Sequence, residues 1–200
     1  AAIGSLRSEE VQFGPKDRAE LEEAIDESAD RLEILIDNLL DMSRIQVGAL
    51  VAHPRRIDLG EVVPTAIKGS GHPERVTWTL GERARFAEAD AGLLDRVLGN
   101  LIENAIRHHA CAEQIRVTTS RIREEVQLRV IDTGPGIPMP LREQAFQPFQ
   151  RQTDSGSDGV GLGLAVARGL TEAMGGTLSA EDTPGGGLTM VVALPAGAST

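Results

Sequence analysis

Aromatic side chains are scarce in this 200-residue chain: four Phe, one Trp and no Tyr. Whatever core it forms must be aliphatic. Cysteine occurs once, at Cys111, which excludes an internal disulfide and a cysteine-built zinc site; the thiol reads as a bystander. No run of eighteen apolar residues exists to span a membrane as a helix, and no signal-peptide pattern opens the sequence. Basic charge is short as well. Twenty Lys and Arg stand against thirty Asp and Glu, a net charge of −10, and a nucleic-acid binder would need a basic face. The acid excess is local: Ser8–Asp41 holds twelve acids and three bases, net −9, so the remainder is close to neutral. A solvated helix face explains that run more simply than a docking surface. What is left is a hydrophobic content of 40%, ordinary for a globular chain of one large or two small domains.

The stretch Asp95–His109 organises the rest. Leu94, Val97, Leu98, Leu101, Ile102 and Ala105 recur at steps of three and four, which predicts an amphipathic helix with one buried stripe. Asn100 and Asn104 stand four apart and share a face. By themselves they could be satisfied polar residues at a helix surface. Three later segments bear on them. Val130–Pro138 (VIDTGPGIP) closes a strand-like run with a carboxylate and two glycines, an acceptor beside backbone that a flat ring can approach. Asp158–Leu164 (DGVGLGL) opens an apolar-periodic run, and glycines at a helix start leave N–H groups free for phosphate oxygens. Pro184–Thr189 (PGGGLT) enters a last strand. Each is weak alone; their order and spacing are not.

Together these segments resemble the ATP-binding domain of sensor histidine kinases. NLIENAIRH is similar to the N box of that family, DTGPGIP to its G1 box, FQPFQR (Phe146–Arg151) to its F box, GVGLGL to G2 and TPGGGLT to G3. The likeness covers Asp90 to Pro195 and places the chain beside the GHKL superfamily, with gyrase, Hsp90 and MutL. The wording of RGLTEAMGGTLSAEDTPGGGLTM, and of the segment before residue 50, is most similar to KdpD-type kinases of potassium-responsive two-component systems.

Along the chain, Ala1–Arg7 reads as the tail of a helix and Ser8–Pro15 as a turn. From Lys16 to about Val47, the residues Leu21, Ile25, Ser28, Leu32, Leu35, Leu39 and Met42 form a heptad seam. Ile34, Ile36, Leu40 and Ile45 widen it toward a four-helix bundle, and Gly48 stops the helix. This helix resembles the second helix of the family's dimerisation and phosphotransfer domain. The phosphoacceptor histidine is then expected before Ala1, because His53, His72, His108 and His109 all fall in the wrong place. The implied domains are residues 1–50, a partial dimerisation and phosphotransfer region, and 51–200, the catalytic ATP-binding domain.

Next come a linker with an edge strand (49–56), a helix capped by Asp58 and broken by Gly69-Ser70-Gly71, and strands at Arg75–Leu80 and Ala84–Ala89. Asp90 caps the central helix. A hairpin (Ile115–Ile122 and Glu125–Ile131), a lid, the helix Gly163–Met174 and strands at Thr177–Ala180 and Leu188–Leu194 complete the order. This suggests an α+β layer with one mixed sheet and helices on a single face; the resemblance implies the Bergerat α/β sandwich.

The resemblance also implies a site for ATP or ADP with Mg²⁺. Asp132 would accept from the adenine amine, with Thr189 completing the contact through water, while Gly134, Gly136 and Ile137 would admit the ring. Asn104 would give Mg²⁺ one oxygen. Arg107, Arg151 and the loop Gly159, Val160, Gly161, Leu162 and Gly163 would meet the phosphates, and His108 would pack against the nucleotide. Asn100 stands where gyrase-like ATPases carry a water-activating glutamate. An amide takes no proton, so transfer to histidine is favoured over hydrolysis; Glu103, one residue out of phase, is expected to face solvent. Asn100, Asn104 and Arg107 are the expected catalytic residues. The resemblance further implies a response regulator as partner, a homodimer through the helical region, and the cytoplasmic portion of a kinase that meets the membrane only outside this chain. Two alternatives stay open: a nucleotide-binding module without catalysis, and a hydrolysing GHKL ATPase, which Asn100 and the heptad helix disfavour.

Overall fold

The structure is a computed structural model that describes residues 14–108, 115–150 and 161–197. It divides into two compact units, Ala1–Leu40 and Asp41–Thr200. Helix α1 (Pro15–Gln46) forms the described part of the first unit and continues into the second. Pro15 suits the first helical position, having no N–H to leave unpaired, and the Asp17 carboxylate reaches back to the Gly14 N–H at 3.2 Å. The helix ends as expected. Gly48 takes φ 64°, and the Ala49 N–H closes on the Arg44 carbonyl at 2.9 Å. Along the first unit, Leu32 and Leu40 are more than half exposed.

In the second unit, β1 (Arg55–Asp58) pairs antiparallel with β3 (Phe86–Ala89) in a two-stranded ribbon of its own. The single sheet read from the sequence is therefore a five-stranded sheet plus this ribbon. The Arg56 guanidinium, 3.7 Å above the Phe86 ring, and the bond from Arg85 Nε to Asp58 Oδ2 at 2.9 Å hold the ribbon locally. The larger sheet runs β2 (Val76–Thr79), β4 (Ile115–Ile122), β5 (Glu125–Ile131), β7 (Leu188–Pro195), β6 (Thr177–Asp182) in space. Only the β2–β4 pair is parallel, which makes the sheet mixed.

Register explains the core. Val117, Val130, Met190 and Ala180 lie in one cross-strand row, and Thr119, Leu128, Val192 and Leu178 in the next. Against this face pack α2 (Leu59–Gly69), α3 (Ala91–His108) and α5 (Gly163–Ala173), with the one-turn helix α4 (Arg142–Ala145) lying between α3 and α5 in the chain. The whole predicted stripe of α3, from Leu94 to Ala105, is buried. Burial of each large aliphatic chain contributes about 1.5–3 kcal/mol, and among the described aromatics Phe146 alone is buried with them. Asp58 caps α2 through the Gly60 N–H at 2.8 Å. Asp90 caps α3 through Gly92 and Leu93, and its second oxygen accepts from the His53 N–H at 3.1 Å, tying down the linker.

The last turn of α1 packs inside the second unit. Ile45 fills the space over Gly169, where an added Cβ would lie 2.7 Å from Ile45 Cδ1. Asp41, with a side chain only 1% exposed, meets Arg96 of α3 twice: Nη1 donates to Oδ1 at 2.9 Å, and Nη2 stands 2.8 Å from Oδ2. Arg96 is a third exposed and Asp41 is not, so the two halves of the pair are unequal. Arg96→Met strips a buried carboxylate of these contacts and should cost about 3 kcal/mol. Asp41→Asn leaves a cation that water still reaches, and should cost about 1–2 kcal/mol. Urea unfolding of both variants checks the order; equal losses would contradict it.

Candidate functional site

The site begins where β5 ends. The Asp132 carboxylate is buried, and its Oδ1 accepts two backbone N–H groups, from Gly134 at 2.8 Å and Leu188 at 3.1 Å. Its own N–H donates to the Leu188 carbonyl at 2.9 Å. Two donors on one oxygen fix the carboxylate plane, and Oδ2 takes no hydrogen bond among the described residues. The clasp is tight: a Cβ on Gly187, which sits at φ 112°, would come within 2.1 Å of the Asp132 carbonyl. Gly136 rests against the Gly187 carbonyl and Gly134 against the carbonyl of His108. The G1- and G3-like segments and the end of α3 are thus one structure. Ile137 is half-buried and packs on the core.

Thr189 corrects the expectation. It pairs in register with Ile131, so strand alternation turns it to the face opposite Asp132. Its hydroxyl lies 2.9 Å from that of Thr183, both buried, and the Leu188 N–H takes the place beside Asp132. One residue of register decided this, and no motif spacing reports it.

The second wall is the start of α5. Its N-cap residue, Leu162, supplies no side-chain bond, so the cap leaves the first-turn N–H groups open to a ligand among the described residues, with the positive end of the helix dipole behind them. Gly163 abuts Asn100: a Cβ there would lie 3.1 Å from Asn100 Oδ1. The Gly161 carbonyl accepts from the Phe149 N–H at 2.9 Å. Phe146 is buried under the Arg168 guanidinium, 4.4 Å from its ring centroid, and Arg168 also makes an ion pair with Glu143 at 3.0 Å. Phe146 is therefore an anchor, whereas Phe149 is 62% exposed. Arg151, Gly159 and Val160 lie outside the described residues, as do the Gln152–Asp158 stretch of the expected lid, His109 and Cys111.

Asn104 is half-buried one turn along from Asn100 on α3. Arg107 is exposed and forms an ion pair with Glu103 at helical spacing, so Glu103 faces a cation on the helix surface. Such a pair is worth little and a phosphate could displace it. No group of three or more His, Cys, Asp or Glu side chains suited to a metal occurs among the described residues. The donor set fits an ion held chiefly by phosphates with one amide oxygen, as Mg²⁺ can be. His108, half-buried at the end of α3, is held below the usual histidine range mainly by burial. The Arg107 charge acts in the same direction and Asp132 against it.

A family model described as "Histidine kinase-, DNA gyrase B-, and HSP90-like ATPase" matches residues 89–198. Among curated proteins, the sensor protein KdpD of Mycobacterium tuberculosis is 49% identical over 98% of this chain and 24% of its own length. The sensor protein KdpD of Escherichia coli is 37% identical over 80% of this chain and 18% of its own. The chain thus spans about a quarter of the first of these relatives. Among solved structures, full-length ShkA in complex with AMPPNP superposes with a TM-score of 0.74 at 27% identity, covering 96% of this chain and 42% of that one. The histidine kinase AdeS of Acinetobacter baumannii shares the fold, with a TM-score of 0.72 at 20% identity over 98% of this chain and 92% of its own.

Because burial lowers the proton affinity of His108, the unfolded chain binds the proton more tightly than the folded one. Stability should fall as pH drops through the ordinary value of 6.5 toward the lower folded value. His108→Gln should flatten the dependence of the denaturation midpoint between about pH 5 and 7.5. An unchanged slope would assign it to another group.

Proposed function

Because this chain belongs to the histidine kinase-, DNA gyrase B- and HSP90-like ATPase family, we propose that it is the ATP-binding region of a sensor histidine kinase. It presents the γ-phosphate of ATP to a histidine, from which the phosphoryl group passes to an aspartate of a response regulator. The observation that carries this reading is the Asp132 carboxylate, fixed by the N–H groups of Gly134 and Leu188, on a loop whose Gly134 meets the end of α3 while Gly163, at the start of α5, meets Asn100 of the same helix. The free oxygen of Asp132 accepts the exocyclic amine of adenine, while Gly134, Gly136 and Ile137 leave room for the ring and His108 packs beside it. The phosphates lie at the N-terminus of α5, met by N–H groups from Gly161 to Gly163, with Gly159, Val160 and Arg151 expected alongside. Arg107 exchanges Glu103 for a phosphate oxygen. Mg²⁺, bound with the nucleotide through the Asn104 oxygen, would neutralise phosphate charge.

Asn100 next to Gly163 is the element that separates transfer from hydrolysis. Its amide orients by hydrogen bonding but cannot take a proton from water. The phosphate therefore waits for a better nucleophile. No histidine occurs before His53, so the acceptor belongs to a part of the protein other than α1. The full-length protein given ATP should form acid-labile, alkali-stable phosphohistidine. Steady phosphate release without it would favour the hydrolysing ATPase instead. Asp132→Asn should weaken ATP binding, from micromolar-to-millimolar dissociation constants, by ~1–3 kcal/mol, since its amide can turn a donor toward a donor. Unchanged affinity in calorimetry would remove Asp132 from adenine recognition.

By its likeness to the KdpD sensors, we assign the region 1–50 to dimerisation and phosphotransfer and 51–200 to nucleotide binding. The setting proposed is potassium-responsive signalling, on the cytoplasmic side of a membrane-anchored kinase. No helix among the described residues is long and apolar enough to cross a membrane. On α1, Leu32, Ile36, Leu39 and Leu40 are each more than 40% exposed, an apolar face rarely left in water. Light scattering at high micromolar concentration should give a dimer mass, reduced to monomer by Leu32→Glu or Leu39→Glu. A monomeric parent chain would defeat the assignment.

A further inference from the structure

The segment leaving the Asp132 loop has little to bury. Pro138 and Pro140 are exposed, Met139 is 80% exposed and Leu141 43%. A stretch so thinly packed should fluctuate unless something else holds it. Arg142 is the exception, with a side chain only 15% exposed. Its planar fork is spread over three acceptors: Nε donates to the Ile137 carbonyl at 3.1 Å, Nη1 to the Ala180 carbonyl at 3.4 Å, and Nη2 to the carboxylate of Asp182. Ile137 ends the loop that carries Gly134 and Gly136. Ala180 and Asp182 belong to β6, the edge strand of the sheet. One guanidinium thus joins the loop to an edge that pairs with no further strand among the described residues.

We propose that Arg142 is a positioning residue for nucleotide binding, a staple that holds the far end of the Gly134–Ile137 wall against the edge of the sheet. The near end is held by the Asp132 clasp; Arg142 supplies the second fixed point. With both ends fixed, the wall keeps its spacing from Asp132 before any ligand arrives, and the cost of ordering it is not charged to binding. The inference rests on the reading of Asp132 as the adenine acceptor, and its test separates the two. Arg142→Met should weaken ATP about five- to tenfold. It should also speed amide exchange across residues 133–141 while β5 and β7 keep their protection. Arg142→Lys, which can meet Asp182 but not both carbonyls, should fall between, and it carries the test if Arg142→Met does not fold. A purely structural role would loosen the strands along with the loop. If the Arg142 variants leave ATP affinity and loop exchange unchanged while Asp132→Asn weakens ATP, the staple is wrong. If Asp132→Asn binds ATP like the parent, the adenine reading fails, and loop exchange alone decides whether Arg142 holds the wall.

Discussion

Everything at the site depends on the backbone clasp between the end of β5 and the start of β7. The Asp132 N–H donates to the Leu188 carbonyl, the Leu188 N–H donates to the Asp132 carboxylate, and Gly187 closes over the Asp132 carbonyl without room for a side chain. Donation by two N–H groups fixes an anionic oxygen at a strand end, in a position that would otherwise be costly to bury. From that point the loop can pass Gly136 under Gly187 and arrive at Ile137. The glycines are there because two backbones meet, and the candidate binding surface is what the meeting leaves.

Around the clasp, α3 serves two environments at once. Its apolar stripe, Leu94 through Ala105, fills the layer between helices and sheet. The flanking stripe carries Arg96, Asn100 and Asn104 at intervals of four, so three polar groups with different neighbours share one rigid rod. Arg96 is joined to Asp41 near the C-terminal end of α1, and Asn100 abuts the first residue of α5. A displacement at Asp41 would be felt along a helix whose other face cannot move without opening the core. Burial provides the rigidity, and the polar stripe carries the side chains proposed for the chemistry.

Strand and helix positions were legible because their period is local. The heptads of α1, the stripe of α3 and the alternation of β4 and β5 each lie within a single element. The caps Asp58 and Asp90 announce themselves by position, and the glycine-rich segments mark where backbone must be approached closely. Thr189 shows where that legibility stops. A hydroxyl one residue from the glycines looks well placed in the sequence, but its pairing with Ile131 turns it to the other face. Arg142, Arg168 and Arg96 look like ordinary surface cations, since nothing in their neighbourhood signals the Asp182, Phe146 and Asp41 they meet in space.

Taken by itself, the sequence determined the aliphatic layer fold, the order of its elements and the residue types of the site proposed for phosphate and purine. Those follow from periodicity, from glycine, and from the carboxylate and amides placed at helix and strand ends. Tertiary structure decided which oxygen of Asp132 the backbone holds, which face Thr189 occupies, that β1 and β3 leave the main sheet, and which arginines are tied down. The physical reason is separation along the chain. A hydrogen bond between residues 132 and 188 or between 142 and 182, and an ion pair between 41 and 96, leave no period in the sequence. They exist only once strand register and helix packing have brought the partners together.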